Sequence, residues 1–325
     1  MIYYRQRARQ IDPFRRFSCE NRDSRVVLVL GDSRVFALGQ DMLDKEERKD
    51  WEIWNFAGPQ AIPAYHYYLA RKLIDTACPP RYLLLGVAPD SFNRNAAVFA
   101  SPVLNFGTDG VFVEQEKTHI PEEALSALAT RRRFALHGLG FSLNTLVVRI
   151  RGSLAGHGQA EPVDEISLIM EAPADSLLLY SLEHSPHRRV LDRLRGAQFA
   201  WVGQMSDVEL KEETRRLKDF YLSRFRVAPE QVYFFRRTVE LAGRSGVKTL
   251  LFWPRVNPHL QQAYTEHPAL QALWREMEYI VKQAGGSVVD LNLEEEARCE
   301  SYYDASHLSA TCFKKITPFL LEKLR

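Results

Sequence analysis

Arg25-Val26-Val27-Leu28-Val29-Leu30 is an almost continuous apolar run closed by Gly31. It is too short for a buried helix, and it lacks the polar alternation of a half-exposed strand. It therefore reads as a strand covered on both faces, which is the environment of a parallel sheet. Similar runs recur at Trp51-Glu52-Ile53-Trp54-Asn55, Tyr82–Val87, Val247–Trp253 and Ser287–Asp290. Helical spacing fills the gaps. Val35, Leu38, Met42 and Leu43 share one side of a helix expected from Ser33 to about Arg48. Tyr65, Tyr68, Leu69 and Leu73 mark a second helix, ended before Pro79-Pro80. Pro229–Ser245 opens on Pro and is followed by Gly246, and about His259 to Ala284 forms a long helix stopped by Gly285-Gly286. Leu308 to Arg325 closes the chain as a helix. Five strands separated by helices predict an α/β fold with a doubly wound, flavodoxin-like parallel sheet of order 2-1-3-4-5.

The alternation stops between about residues 101 and 227. Gly107-Thr108-Asp109-Gly110, Gly138-Leu139-Gly140, Gly152 and Gly156-His157-Gly158 interrupt short helical pieces there. A structureless stretch of that length is rare in a compact chain, so 101–227 reads as a mostly helical cap inserted after strand three of a single 1–325 domain. Within it Arg131-Arg132-Arg133 and Arg149-Ile150-Arg151 flank the apolar stretch Leu143–Ile150. That pattern fits a helix packed on the sheet with a solvated charged rim. The second reading is a face that touches anionic lipid or polymer at a membrane surface.

Composition removes several classes of function. Lys plus Arg number 43 and Asp plus Glu 41, so the formal charge is +2, which argues against a nucleic-acid partner. No run of eighteen apolar residues is present, so no transmembrane segment is expected. The start, Met1–Arg16, is basic and aromatic, without a signal peptide's apolar core; it resembles a segment that follows a removed anchor, and the compartment stays open. Cys19, Cys78, Cys299 and Cys312 include no C-x-x-C pair, which argues against a thiolate metal site, and are too few for a disulfide scaffold. His184 and His187 have a spacing that can bind metal, yet no nearby carboxylate completes a site. No Gly-rich nucleotide motif occurs either, so no cofactor and no metal are expected.

Ligands of an open parallel sheet bind beyond the carboxyl ends of its strands. Gly31-Asp32-Ser33-Arg34 follows strand one, and Asp304-Ala305-Ser306-His307 lies in the last loop, after strand five. Ser33, at the expected first turn of a helix, would sit beside unpaired N–H groups that favour a developing negative charge. A serine nucleophile needs a base. His307 supplies an imidazole, with Asp304 three residues upstream to hold its tautomer. Taken alone, Ser33 reads as a helix cap and Asp304 as a cap of the final helix; both motifs falling at one end of the same sheet favours the catalytic reading. Arg34, Arg255 and Asn257 line the expected cleft as weaker substrate-binding candidates. His66, among Tyr65, Tyr67 and Tyr68, reads as a core or surface histidine, and Trp51, Trp54 and Trp253 as core or rim aromatics.

Val29-Leu30-Gly31-Asp32-Ser33-Arg34, Gly58 and Asp304-Ala305-Ser306-His307 together resemble the SGNH (GDSL-type) hydrolase superfamily. The resemblance covers about residues 25–95 and 230–325. It implies a serine esterase or acyltransferase acting on a small acyl ester, such as O-acetyl on a carbohydrate or envelope polymer. Ser33 then resembles the nucleophile, His307 the base and Asp304 the orienting acid, with the N–H groups of Ser33 and Gly58 as oxyanion donors. The family's Asn after strand three is replaced: Gly86-Val87-Ala88 has Ala88 at that place, which leaves Asn93, or less well Asn95, as the third donor. The departure, the Gly-Asp-Ser-Arg spelling and Phe252-Trp253-Pro254 look like divergent members that modify cell-envelope polymers, which implies a periplasmic or envelope site. A second reading stands beside the enzyme: a catalytically inactive module of this superfamily that binds a polysaccharide or a partner protein.

Overall fold

The computed structural model describes residues 2–21, 24–58, 60–95, 110–133 and 205–325. Five strands, β1 (Arg25–Gly31), β2 (Trp51–Asn55), β3 (Tyr82–Gly86), β4 (Lys248–Trp253) and β5 (Ser287–Asp290), form one sheet. All four pairings are parallel and the order is β2-β1-β3-β4-β5. The helices in chain order are α1 (Ile2–Glu20), α2 (Glu47–Asp50), α3 (Pro63–Leu73), α4 (Gly110–Glu116), α5 (Glu122–Arg133) and α6 (Asp207–Leu222). They continue with α7 (Pro229–Arg244), α8 (Pro258–Thr265), α9 (Pro268–Gln283) and α10 (Phe313–Lys323). Apart from Arg25 and Lys248 at the starts of β1 and β4, the central strands are buried because helices or packed loops cover both faces. One face packs against α1, α3, α7, α8 and α9 around Phe14, Tyr65, Phe234, Phe235 and Tyr264. The other packs against α10 and the segment after β1, around Val35, Leu38, Ile316 and Leu320.

Three expected helices are corrected. From Ser33 to Arg48 the chain makes a 3-10 turn at Ser33–Val35, a second at Gln40–Met42 and the four-residue α2. The apolar spacing was real, since Val35, Leu38, Met42 and Leu43 are all buried. What prevents a helix is competition for its acceptors. The side-chain amide of Asn55 donates to the carbonyls of Val35 (2.8 Å), Phe36 (3.3 Å) and Leu38 (2.7 Å), which an α-helix would have used internally. The long helix expected over 259–284 is two helices. Pro268 opens the second, and the His267 side chain caps it by accepting from Leu270 N–H. The closing helix begins at Phe313, because Leu308 first pairs with Tyr302 in an isolated bridge.

Two glycines allow the segment after β1 to fold back onto the sheet. A Cβ on Gly31 would meet Val35 at 2.5 Å and the Gly86 carbonyl at 2.7 Å, and one on Gly86 would meet Val35 and Phe252 at 2.6 Å. Gly31 and Gly86 are register partners, so Val35 lies over a seam that no larger residue leaves open. The four cysteines pair completely: Cys19 ties α1 to Cys78 beyond α3, and Cys299 pairs with Cys312. Of 101–227, the described parts are α4, α5, α6 and the chain beside them. Leu143–Ile150, Arg149-Ile150-Arg151, His184 and His187 lie outside the described residues. Among the described residues no helix is long and apolar enough to cross a membrane.

Candidate active site

The carboxyl ends of the parallel strands bring the first and last loops together. Ser33 Oγ lies 2.9 Å from His307 Nε2, across 274 residues of sequence. On the other side of the ring, Nδ1 is 2.8 Å from both carboxylate oxygens of Asp304. An ionised carboxylate only accepts, so Nδ1 carries the hydrogen and the Nε2 lone pair faces the serine hydroxyl. Asp304 Oδ1 also accepts from the N–H groups of Ser306 and His307, each at 2.8 Å, and from Ser306 Oγ at 3.1 Å. Burial pushes the Asp304 carboxyl up, but the charge and hydrogen bond of His307 and the donors of Ser306 outweigh it, leaving the group below the usual carboxylate range. Ser33 is half-buried, while Asp304 and His307 are buried.

Asp32 shapes the turn at Ser33. Its Oδ1 accepts from Arg34 N–H at 2.8 Å and caps the 3-10 turn that carries Ser33. A turn of three residues carries little dipole, so any electrostatic help to Ser33 comes from nearby N–H groups rather than from a helix axis. The Ser33 N–H has no partner among the described residues. The Gly58 N–H, expected as a second oxyanion donor, donates instead to the Gly31 carbonyl at 3.1 Å. Two residues farther along the same loop, exposed Gln60 has φ of 55°, a left-handed backbone that a non-glycine residue adopts at a cost of about 1–2 kcal/mol. Its sequence carries no signal for this, since only glycine or asparagine flags such a conformation.

The other sequence candidates lie elsewhere than expected. Arg34 is buried, and its guanidinium forks onto Asp90, Nη1 to Oδ1 at 2.9 Å and Nη2 to Oδ2 at 2.5 Å. Its Nε is 3.8 Å from Asp32, and the guanidinium lies 5.3 Å from the centre of the Tyr221 ring. Burial disfavours the Arg34 charge, yet Asp90 and Asp32 more than compensate and hold it firmly protonated. The Asp90 carboxylate is thus paired with a cation 56 residues away in sequence. Asn93 is fully buried: its Nδ2 donates to the Tyr221 carbonyl at 2.7 Å, and its Oδ1 accepts from the N–H groups of Asn95 and Arg226. Its amide joins the β3 loop to the chain after α6, and Asn95 Nδ2 likewise donates to the Arg224 carbonyl. Arg255, buried, donates to the Leu291 carbonyl at 3.0 Å. Asn257 caps α8 through Oδ1, while its Nδ2 donates to Thr214 Oγ1 and the Ala305 carbonyl.

Two residues close to the site carry no signal in the sequence that marks them as part of it. Glu213, half-buried on α6, accepts from Ala305 N–H at 2.7 Å, inside the turn that holds Asp304 and His307. Burial raises its carboxyl above the ordinary value, against the pull of the Ala305 N–H. His66 is buried on α3, with no hydrogen bond to either ring nitrogen. Burial lowers its pKa to about 4, offset in part by the nearby Gly31 backbone. No curated protein matches the chain. A family model matches residues 1–324, so the chain belongs to the family described as "Protein of unknown function (DUF1574)".

Proposed function

We propose that this chain is a serine-dependent ester hydrolase or acyltransferase of the SGNH type, acting on a small acyl ester such as O-acetyl on a carbohydrate or envelope polymer. The observation that carries the reading is the continuous relay Ser33 Oγ–His307–Asp304, with contacts of 2.9 and 2.8 Å. In the acylation step Ser33 Oγ bonds to the acyl carbon while its proton passes to His307 Nε2, and the carbonyl oxygen takes the negative charge. Collapse of that adduct breaks the bond to the alcohol, which leaves with the proton from Nε2. Water or an acceptor hydroxyl then gives its proton to His307, attacks the acyl carbon and displaces Ser33 Oγ, which takes the proton back. Ser33 N–H is the backbone donor best supported for the oxyanion. Asn93 is left out, because its amide is bonded to Tyr221.

The test is labelling by a fluorophosphonate, read as adduct mass on the Ser33 peptide, together with p-nitrophenyl acetate turnover. Ser33→Ala should abolish labelling and lower turnover by up to about 10⁶. Equal labelling or turnover in wild type and Ser33→Ala would refute the reading. The inactive-module reading is favoured by one observation, the commitment of Gly58 N–H and the Asn93 amide to other partners. One missing oxyanion donor costs about 10²–10³ in turnover. Saccharide binding unchanged in Ser33→Ala, with no Ser33-dependent hydrolysis, would select that module.

A further inference from the structure

Helix α6 lies outside the part of the chain that carries the serine and histidine motifs, yet it touches the loops after β1, β3, β4 and β5. Its capping box, Ser206 with Glu209, fixes where the helix begins. Just before it, Met205 N–H donates to the Tyr302 carbonyl at 2.9 Å. One turn in, Leu210 packs in the same apolar cluster as Tyr302, Ala305 and Leu308. Near its end, Tyr221 lies against Arg34 and takes the Asn93 amide on its carbonyl. The middle of the helix makes the contact of most consequence. The Ala305 peptide is held from both directions: its N–H by Glu213 Oε2, and its carbonyl by Asn257 Nδ2, which also donates to Thr214 Oγ1 at 3.2 Å. Adjacent residues of α6 therefore grip both sides of one residue, Glu213 directly and Thr214 through Asn257.

We propose that Glu213 is a positioning residue for the acid–base turn, fixing Ala305 so that His307 stays within proton-transfer reach of Ser33. This rests on reading Ser33 and His307 as catalytic. Asp304 Oδ1 accepts from the N–H groups of Ser306 and His307, the two residues that follow Ala305, so a shift of Ala305 moves the carboxylate and the imidazole together. A misplacement of about 1 Å at such a site costs about 10² in rate. Glu213 touches the turn and not the substrate. Its loss should therefore lower kcat and leave KM near its wild-type value.

The experiment compares wild type, Glu213→Ala, Glu213→Gln and Glu212→Ala, an exposed position on the same helix. Two quantities are read in the full chain: p-nitrophenyl acetate kinetics, and hydrogen exchange of peptides spanning residues 300–309. Glu213→Ala should lower kcat by about 10- to 100-fold and speed exchange across the turn. Glu213→Gln, which keeps an acceptor oxygen for the Ala305 N–H, should restore both to near wild type, and Glu212→Ala should change neither. Unchanged exchange in Glu213→Ala, or faster exchange with unchanged kcat, would overturn the proposal; so would Glu213→Gln behaving as Glu213→Ala does. Should Glu213→Ala fold poorly, Glu213→Asp, whose carboxylate is one methylene shorter, is expected to loosen the Ala305 N–H contact and speed the same exchange; unchanged exchange in that variant would overturn the proposal as well. Absence of Ser33-dependent turnover in wild type would refute the catalytic reading, and with it any catalytic consequence of Glu213. The exchange data would still decide separately whether Glu213 holds the turn.

Discussion

The buried pair Arg34–Asp90 lends itself to a quantitative test. Arg34 and Asp90 side chains are 4% and 1% exposed, and the two hydrogen bonds between them are parallel and short. Removing one partner of such a pair leaves a charge in a medium that solvates it poorly, at a cost of about 3–5 kcal/mol. Asp32, 3.8 Å from Arg34 Nε, retains part of the attraction in Asp90→Asn, which places that variant near the lower end. In Arg34→Met the carboxylates of Asp90 and Asp32 are both stranded, and the loss should be nearer the upper end. For 325 residues, an unfolding entropy of about 2.1 cal/mol/K per residue gives about 0.7 kcal/mol/K. The expected falls in Tm are then about 4 °C for Asp90→Asn and about 7 °C for Arg34→Met. The double variant Arg34→Met/Asp90→Asn should lose less than the sum by an amount worth about 1–3 kcal/mol, because the second change no longer strands a charge. Reversible calorimetric scans of the four proteins measure the cycle. Single-variant shifts below about 1.5 °C, or strict additivity, would refute the claim that the pair holds the Ser33 turn to the β3 loop.

Three further outcomes follow from the same structure. His66 is neutral in the folded state at a pKa of about 4, whereas the unfolded ring titrates near 6.5. As pH falls from 6.5 towards 4 only the unfolded chain gains this proton, so stability declines by about 3 kcal/mol and then levels off; His66→Phe should remove that part of the fall in Tm between pH 7 and 4, and parallel curves would refute it. Replacing Cys299 and Cys312 together by Ala opens a loop of sequence separation 13, which should destabilise by about 3 kcal/mol in the chain-entropy view and speed exchange in the turn it encloses; an unchanged Tm would refute this. Asp304→Asn should lower kcat by up to about 10⁴ while leaving the fold intact, and a loss under tenfold would refute the orienting role of that carboxylate.

The sheet was legible because parallel strands buried on both faces are spelled as uninterrupted apolar runs, as in Val26–Leu30 and Leu83–Leu85. Proximity of Ser33 to His307 was legible for a related reason: strand-end loops of one parallel sheet converge at one edge. What failed to show in the sequence depends on partners far along the chain. Val35, Leu38 and Met42 have helical spacing, but whether the segment becomes a helix was decided by Asn55, which takes the carbonyls of Val35 and Leu38. Arg34 looked like a substrate ligand until Asp90 appeared beside it, and Asn93 like an oxyanion donor until its amide was found on Tyr221. The pairing of four cysteines is also undetermined by spacing, since three connectivities are open. Glu213 gives no local signal at all, because a half-buried glutamate on a charged helix is spelled like its exposed neighbour Glu212.

These differences share one physical cause, and it bears on how the site is built. Every polar side chain expected to face a substrate is bonded instead to another loop: Arg34 to the β3 loop, Asn93 to the end of α6, Asn257 to the turn that holds Asp304 and His307, Arg255 to the end of β5. The strand-end loops thus form a closed set of mutual ties, and these ties join a serine and a histidine separated by 274 residues. Such bonding removes freedom from Ser33 and His307, the condition under which positioning would contribute most to rate in the proposed reaction. In the proposed reaction it would also remove side-chain donors from the oxyanion, leaving backbone N–H groups to stabilise it. A site built this way should respond more strongly to mutations that loosen the ties between loops than to changes in polar residues at its mouth.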